Sequence, residues 1–351
     1  MSMKRDFFRG HFTREGRRIA RALSHCAQGR VACDGCGAQV DFPGLEPLSL
    51  HSCPACGQVV FIPWRVENWW VIRPLAAGGF GSVYLGVSAQ DLKQKVAVKV
   101  LRKDEEVDPD ALAGFDHECD IAFSLEPHPN LAETYATGSQ DDRIFMVSRF
   151  VEGPNLKQRL DDGGAIPPEE SLYYTLDVVG ALRHLYRAGY MDRDVKPENV
   201  IIGPDYRAIL VDYGNCLTIE EAKNSGVLPV FGSAVYMAPE RYLKQGEDLR
   251  ADIYSLGMLL YYILMGQDYF TAAEIRGVAK GHLRTLRVRT RDKMPNFDPA
   301  LADLVDGMVA RSREDRFQSY EDLVSSIVAV LGVYRQLPAV GKAAETRRRN
   351  P

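Results

Sequence analysis

The ten residues 190–199, Tyr-Met-Asp-Arg-Asp-Val-Lys-Pro-Glu-Asn, constrain this chain more than any other segment. Within six positions they place a carboxylate at Asp194, an ammonium at Lys196 and a carboxamide at Asn199. Phosphoryl transfer needs these groups in one rigid loop: an acid for the attacking hydroxyl, a cation for the transferred group and an oxygen that ligates Mg²⁺. Two apolar stretches within 200–211 predict a hairpin that would hold the loop rigidly.

Composition and charge narrow the class of protein. The 351 residues allow two or three domains, and 46% hydrophobic with 26% charged residues is ordinary for a globular protein. A net charge of −4 argues against bulk electrostatic binding to nucleic acid or to a membrane surface. Residues 1–30 are nevertheless basic, with eight Lys or Arg against two acids, and so is the tail at 347–349. Such termini are usually only solvated; the alternative is a site for an anionic or regulatory partner.

Neither a secretory signal nor a membrane span is expected. The charges near the N-terminus are not followed by an apolar core segment, and the longest apolar run, 253–265, is too short to cross a bilayer comfortably. Because this run contains Ser255 and Gly257, we interpret it as a buried helix. Four of the seven cysteines form two Cys-x-x-Cys pairs rather than a disulfide framework, which favours a reducing, cytoplasmic location.

The two Cys-x-x-Cys pairs, Cys33 with Cys36 and Cys53 with Cys56, predict a metal site. A glycine follows each pair and permits the turn that points backbone N–H groups at sulfur. Two such turns complete a closed site of four thiolates, so we expect a zinc ribbon over 26–64 in which Zn²⁺ is structural. The second pair also resembles a rubredoxin loop, which makes iron the weaker alternative; four free buried cysteines are the weakest.

A phosphate-binding turn is predicted ahead of an alternating strand. Its residues are Leu75, Ala76, Ala77, Gly78, Gly79, Phe80, Gly81 and Val83. Glycines let the backbone close over phosphate groups and Phe80 would cap the tip, although an ordinary hairpin turn is equally compatible with such a run. The strand that follows, 95–100, carries Ala97 and Lys99. It would place Lys99 about where a third strand begins to cover the turn.

In order and separation, these segments resemble the eukaryotic-type serine/threonine protein kinases in their bacterial form. The resemblance extends from about Glu67 to Leu337. It implies an α+β, bilobal protein-kinase fold with a β-rich N-lobe and a helical C-lobe, preceded by the small zinc ribbon. The expected divisions are a basic extension at 1–25, the four-cysteine module at 26–64, the kinase domain at 65–337, made of N-lobe 65–152 and C-lobe 153–337, and a basic tail at 338–351.

The resemblance assigns the ATP contacts mainly to the N-lobe. Besides the turn, the implied nucleotide-binding residues are Ala97, Lys99, Glu118, Ser148, Phe150 and, from the C-lobe, Asp212. Lys99 would contact the α- and β-phosphates and pair with Glu118, for which Asp116 and Asp120 are the competitors. Ser148 would be a small gatekeeper residue behind the adenine.

The resemblance also assigns roles within the catalytic loop. Asp194 would be the catalytic base for the substrate hydroxyl, Lys196 would stabilise the γ-phosphoryl group, and Asn199 and Asp212 would ligate Mg²⁺. Arg193, next to the base, is typical of a kinase that responds to phosphorylation of its activation loop. Candidate sites for that phosphorylation are Thr218, Ser225 and Ser233.

Three residues depart from the family pattern: Ala76 replaces the first glycine, Asp192 replaces a histidine, and Tyr213 replaces a phenylalanine. Alanine is the smallest replacement, so we expect tolerance with an altered nucleotide affinity. The family histidine packs and hydrogen-bonds rather than reacts, so Asp192 bears on the rigidity and regulation of the loop. We expect Tyr213 to donate a hydrogen bond to Asp192.

Residues 232–240 resemble the end of an activation segment, with Ser233 in the position of a threonine that contacts the catalytic loop. The resemblance implies a buried ion pair between Glu240 and Arg316. It also implies that Asp252, at the start of the central C-lobe helix, braces the catalytic loop.

The interpretation that unites these features is an ATP-dependent serine/threonine protein kinase that uses Mg²⁺, carries a structural Zn²⁺, acts on protein substrates and autophosphorylates. One rival is a pseudokinase, a nucleotide-binding scaffold whose ribbon or basic N-terminus recruits a regulatory protein. Ala76 and Asp192 favour that rival, whereas Lys99, Asp194 and the Mg²⁺ ligands oppose it. A second rival makes the ribbon a nucleic-acid module, which its scattered basic residues hardly support.

Overall fold

The computed structural model describes residues 25–78, 81–91, 93–102, 109–224, 234–270, 277–283 and 290–336. The chain divides into two units, and the described residues of Met1–Phe123 and Thr134–Phe150 make up the first. Those of Ser124–Glu133 and Val151–Pro351 make up the second. The first unit is rich in strands and the second in helices, in agreement with the kinase-like α+β architecture expected from the sequence.

Two small hairpins open the described part of the first unit. Their strands are β1 (Arg30–Ala32), β2 (Gln39–Asp41), β3 (Leu50–Ser52) and β4 (Val59–Phe61). β1 pairs antiparallel with β2, and β3 with β4. Cys33 directly follows β1 and Cys53 directly follows β3, so the two cysteine pairs occupy equivalent turns. We call residues 26–64 the cysteine module.

A six-stranded antiparallel sheet forms the body of the first unit. In chain order its strands are β5 (Trp64–Val66), β6 (Trp69–Gly78), β7 (Gly81–Ser88), β8 (Lys95–Arg102), β9 (Thr134–Gln140) and β10 (Arg143–Arg149). The order across the sheet is β5-β6-β7-β8-β10-β9. The edge strand β5 comes directly after the hairpins, so the cysteine module runs without a break into the main sheet. Helix α1 (Pro109–Ser124) connects β8 to the remaining strands.

The alternation of β8 explains which face of the sheet is buried. Val96, Val98 and Val100 point to one side and pack against Phe145 and Trp64. Burying each such side chain stabilises the fold by roughly 1.5–3 kcal/mol, which fixes the register of the strand because a one-residue slip would expose all of them. Residues at the intervening positions are thereby directed to the opposite face, where the candidate nucleotide-binding residues lie.

The second unit is mainly helical. Its helices are α2 (Leu156–Gly163), α3 (Pro168–Arg187), α4 (Ile219–Lys223), α5 (Pro239–Tyr242), α6 (Leu249–Met265), α7 (Val278–Leu283), α8 (Thr290–Lys293), α9 (Pro299–Met308) and α10 (Tyr320–Gln336). Its short strands are β11 (Tyr190–Met191), β12 (Val200–Ile202), β13 (Ala208–Leu210) and β14 (Leu217–Thr218). β12 and β13 form the hairpin predicted after the catalytic loop.

Helix α6 contains the longest apolar run of the sequence, and it is buried as predicted. The Asp248 side chain caps its N-terminus by accepting from the Arg250 N–H, and Gly266 ends it in the left-handed conformation that a glycine adopts without strain. Gly257 lies against Met308 and Val309, where a Cβ would come within 2.7 Å of neighbouring side chains. No helix among the described residues is long and apolar enough to span a membrane.

Candidate active site and cysteine cluster

The loop between β11 and β12 brings Asp194, Lys196 and Asn199 into direct contact. The Lys196 ammonium forms an ion pair with the Asp194 carboxylate. The Asn199 amide donates to the Asp194 backbone carbonyl at 3.1 Å and to its carboxylate at 3.3 Å. Asp194 is buried, with 7% of its surface exposed. An acid, a cation and a carboxamide are therefore joined in one loop, the combination that phosphoryl transfer requires.

Asp252 of helix α6 supports this loop. The two carboxylate oxygens of Asp252 accept hydrogen bonds from the backbone N–H groups of Asp192 at 3.1 Å and of Arg193 at 2.9 Å. Burial raises the pKa of Asp252 to about 6, although these N–H donors act in the opposite direction. The bracing role that the resemblance implied for Asp252 corresponds to these two hydrogen bonds.

Asp192 lies beneath the candidate base. Its carboxylate accepts the Asp194 backbone N–H at 3.0 Å, and only 2% of its surface is exposed. Burial, and then the charges of Asp252 and Asp194, raise its pKa well above the usual range. Tyr213 donates its hydroxyl proton to the carbonyl oxygen of Ala132 at 2.8 Å, so the expectation that it donates to Asp192 is wrong. A distant backbone segment supplies the acceptor instead.

The candidate metal ligand Asp212 follows β13, in the loop that leads to β14. Its φ of +73° is in the left-handed region, which is uncommon for a non-glycine residue and recurs at functional sites. The Val211 N–H donates to the Asn199 carbonyl at 2.9 Å, which ties this segment to the catalytic loop. The Asp212 carboxylate accepts from the Gly214 N–H at 3.3 Å. Carboxylate and carboxamide oxygens are ligands that suit Mg²⁺.

In the first unit, Lys99 and Glu118 form the ion pair expected from the sequence. The Lys99 ammonium lies 2.6 and 2.7 Å from the two Glu118 carboxylate oxygens. Glu118 is buried on α1, whereas the competitors Asp116 and Asp120 are exposed on the same helix. The spacing of α1 thus selects Glu118, because only its side of the helix faces β8.

The register of the sheet places the other candidate nucleotide contacts relative to Lys99. Val83 pairs with Lys99, and Ala97 pairs with both Leu85 and Ser148. Directly paired residues of antiparallel strands share a face, so Val83, Lys99, Ala97 and Ser148 lie on the face opposite the buried valines. These residues form a continuous surface beside the β6–β7 turn.

The turn itself joins β6 and β7. Ala76 pairs with Val83, Ala77 with Ser82 and Gly78 with Gly81. Gly81 has a φ of +122°, and a Cβ there would lie 2.9 Å from the Val100 carbonyl oxygen, so only glycine fits. Leu75 and Ala76 are exposed, and Phe150 directly follows β10. The predicted contacts Gly79 and Phe80 lie outside the described residues, as do the candidate phosphorylation sites Ser225 and Ser233.

The four cysteines of the module converge. Their sulfur atoms all lie within 4.8 Å of one another, with 3.6 Å from Cys33 to Cys56 and 3.7 Å from Cys36 to Cys53. A tetrahedral zinc site with Zn–S bonds of about 2.3 Å has sulfur atoms about 3.8 Å apart, so this donor set fits the ion. In each turn the glycine N–H donates to the carbonyl of the first cysteine, at 2.9 Å from Gly37 and 2.8 Å from Gly57.

Sequence reasoning missed one feature near the catalytic loop. Glu247 is buried between the guanidinium groups of Arg193 and Arg241. The available signal was an arginine directly after Ala-Pro-Glu and an acid six residues later, in a region that leads into a buried helix. The pair predicted between Glu240 and Arg316 is present nearby, with two buried hydrogen bonds of 2.8 Å.

Comparison with known proteins adds an independent finding. Residues 69–327 match the family model described as protein kinase domain. The chain is 31% identical to the serine/threonine-protein kinase PknJ of Mycobacterium tuberculosis, over 78% of this chain and 46% of that protein. It is 28% identical to the serine/threonine-protein kinase PrkC of Bacillus subtilis, over 74% and 40%. It is 31% identical to the serine/threonine-protein kinase AtPK2/AtPK19 of Arabidopsis thaliana, over 72% and 52%. The chain therefore spans about half the length of the curated relatives it matches.

Proposed function

This chain belongs to the protein kinase domain family, and on that premise we propose that it is an ATP-dependent serine/threonine protein kinase. It transfers the γ-phosphoryl group of ATP to hydroxyl groups of protein substrates and to its own. The observation that carries the proposal is the single buried loop in which Asp194, Lys196 and Asn199 contact one another. The names of the relatives, all serine/threonine-protein kinases, support the same substrate class.

Each catalytic group has a role that follows from its chemistry. Asp194 orients the substrate hydroxyl and accepts its proton, and Lys196 balances the negative charge of the transferred group. Asn199 and Asp212 hold Mg²⁺, which when bound neutralises the phosphate oxygens. Lys99, kept extended by its pair with buried Glu118, contacts the nucleotide phosphates. Positioning and charge neutralisation account for the rate enhancement.

The nucleotide lies on the face of the main sheet that carries Ala97 and Lys99 in this proposal. Residues proposed to contact it are Leu75, Ala76, Ala77, Gly78, Gly79, Phe80, Gly81, Val83, Ala97, Ser148 and Phe150. The small side chains of Ala97 and Ser148, adjacent in the register, leave room for a flat base. The replacement of the first glycine by Ala76 adds a methyl group at an exposed position, which is compatible with binding.

Phosphoryl transfer from radiolabelled ATP to the protein itself and to a generic protein substrate tests the activity. Asp194→Asn should lower kcat by about 10²–10⁴-fold, the usual contribution of a general base, because the amide cannot accept the proton. Asp161→Asn, at an exposed position of α2, is the matched control and should retain full activity. Nucleotide binding without transfer by the unsubstituted protein would instead support the pseudokinase alternative.

For the cysteine module we propose a zinc ribbon in which Cys33, Cys36, Cys53 and Cys56 hold one structural Zn²⁺. The mutual sulfur distances support this, and iron is the weaker alternative because the same four thiolates also bind it. Elemental analysis should find one zinc per chain, and Cys56→Ser should lose it. Cys119→Ala, which removes a buried thiol outside the cluster, should retain it. A coloured protein that contains iron would contradict the assignment.

Partners beyond protein substrates stay predictions. A regulatory protein that binds the cysteine module or the basic residues 1–30 would be detected by crosslinking of the full chain. The cytoplasmic location and the separation into the predicted domains 1–25, 26–64, 65–337 and 338–351 likewise stay predictions.

A further inference from the structure

Glu247 is a buried acid that two arginines clamp. Its side chain is fully buried, and one carboxylate oxygen accepts from Arg193 Nε at 3.1 Å and Nη2 at 2.7 Å. The other oxygen accepts from Arg241 Nε at 2.9 Å and Nη2 at 2.7 Å. Each oxygen therefore accepts two charge-assisted hydrogen bonds from one guanidinium, so all four bonds join ionised groups.

The carboxylate of Glu247 is ionised in this setting. Burial acts to raise its pKa, but the charges and hydrogen bonds of Arg241 and Arg193 outweigh burial and hold the pKa below its usual range. Asp252 lies close enough to act electrostatically on both arginines. The cluster thus sets two carboxylates, Glu247 and Asp252, against two guanidinium groups. Arg193 therefore already has a buried anionic partner, Glu247, within hydrogen-bond distance.

The same cluster fixes the backbone next to the candidate base. Arg193 has a φ of +66°, an unfavourable conformation for a side-chain-bearing residue that persists only where neighbours enforce it. Its N–H is held by Asp252 at 2.9 Å, its carbonyl accepts from Arg241 Nη1 at 2.7 Å, and its guanidinium is held by Glu247. The residue that follows is Asp194, so these contacts set the direction in which the catalytic carboxylate leaves the chain.

We propose that Glu247 is a positioning residue that takes the place of an activating phosphate, by occupying Arg193 and so holding the catalytic loop in its working conformation in the unphosphorylated protein. This proposal rests on the proposed kinase activity. It replaces the sequence-based expectation that Arg193 responds to a phosphorylated activation loop. Of the three candidate sites, Thr218 already uses its hydroxyl to cap α4 and to donate to Glu221.

Kinetics of the fully dephosphorylated full-length chain test the proposal. The protein is treated with a broad-specificity phosphatase, the phosphatase is removed, and intact mass verifies the absence of phosphate. Transfer to a generic protein substrate should start without a lag and keep its rate within about twofold after preincubation with ATP, since the charge cluster is already complete. A lag, or a gain of tenfold or more on phosphorylation, would overturn the proposal.

A second measurement uses Glu247→Gln, with Glu220→Gln at an exposed position of α4 as control. Displacing the loop should lower kcat by about 10- to 100-fold while KM for ATP stays within about threefold. Glu247→Asp, which keeps the charge, should restore part of kcat. Unchanged kcat in folded Glu247→Gln overturns the proposal; should this variant fail to fold, the phosphatase experiment decides. Absence of transfer by the unsubstituted chain in either phosphorylation state overturns the proposed function itself.

Discussion

The catalytic loop and the cysteine module are both short segments held in fixed shapes, but by different kinds of interaction. Around the loop, buried carboxylates of Asp192, Asp252 and Glu247 accept backbone and guanidinium donors. In the module, two hairpins with strands of three residues each enclose a small apolar cluster of Cys33, Cys53 and three valines. The loop depends on the protonation and pairing of buried acids, whereas the module depends on four thiolates and the ion proposed between them.

Removal of the metal should give the largest effect and should separate the two regions. A structural zinc contributes about 10–16 kcal/mol of apparent binding free energy at neutral pH, so the module should unfold when a strong chelator is added. Hydrogen exchange followed by mass spectrometry should show loss of protection in residues 30–62, while residues 190–202 keep theirs. Re-addition of Zn²⁺ is the control. Equal loss of protection in both segments would show that the two regions are not stabilised independently.

Leaving a charge unpaired should be the next largest effect, and it concerns the second unit alone. Arg316→Gln removes the guanidinium that binds buried Glu240 and should lower the free energy of unfolding by about 3–5 kcal/mol. Arg291→Gln, from the exposed pair with Asp303, should have a much smaller effect, because solvent screens this pair. Denaturant titrations of both variants provide the measurement. Similar losses of unfolding free energy in the two variants would show that burial of the pair between Arg316 and Glu240 has no measurable effect on its contribution.

The pH dependence of stability sharpens the comparison, because the substitution tested here should stabilise the protein, whereas the previous ones destabilise it. Folding raises the pKa of Asp192 and that of Asp252, the latter to about 6, so the folded protein binds more protons than the unfolded chain. The contribution of these two acids to the free energy of unfolding should therefore fall as pH rises above about 4. Asp192→Asn keeps an acceptor for the Asp194 N–H and removes one such acid. It should be more stable than the unsubstituted protein at pH 8, with the difference vanishing near pH 4.

Thermal unfolding at several pH values would reveal this trend. Asp142→Asn, in the exposed turn between β9 and β10, is the control and should follow the unsubstituted protein throughout. A pH-independent effect of Asp192→Asn would mean that packing, rather than desolvation of the carboxylate, governs the site.

The smallest expected effect concerns an ion pair that joins the cysteine module to the main sheet. Arg143 is buried on β10 and binds the half-exposed Glu46. Arg143 also donates to the Asp141 carbonyl at 2.7 Å and lies over the Trp64 ring at 5.6 Å. Glu46→Gln should therefore cost less than about 1 kcal/mol in a denaturant titration, because the arginine keeps its other partners. A larger loss of unfolding free energy would show that this ion pair contributes substantially to holding the cysteine module against the main sheet.

Some of this architecture follows directly from local sequence patterns. The apolar run 253–265 gave a buried helix, the stretches within 200–211 gave a hairpin, and the four cysteines came together. Each depends on periodicity or on spacing within a short segment. The pair of Lys99 with Glu118 required the resemblance, since nothing in either segment identifies its partner.

Other contacts could not be predicted because the partners are distant in sequence and obey no spacing rule. Tyr213 reaches the carbonyl of Ala132, 81 residues earlier, where a backbone oxygen is as good an acceptor as a carboxylate. Glu247 meets Arg193 across 54 residues. Any of the chain's many acids could have been that partner, and only the packing of α5 and α6 against the loop selects this one.

The continuity of the edge strand β5 with the module has a practical consequence. Trp64 and Val66 bury their side chains in the main sheet and pair with Trp69–Val71 of β6. A shorter catalytic fragment that starts at residue 67 would therefore leave the backbone N–H and C=O groups of β6 open to solvent. An uncovered edge of this kind invites strand addition from other molecules, so such a fragment should aggregate. Recombinant fragments meant to stay monomeric need to retain the strand, and with it the segment that precedes it.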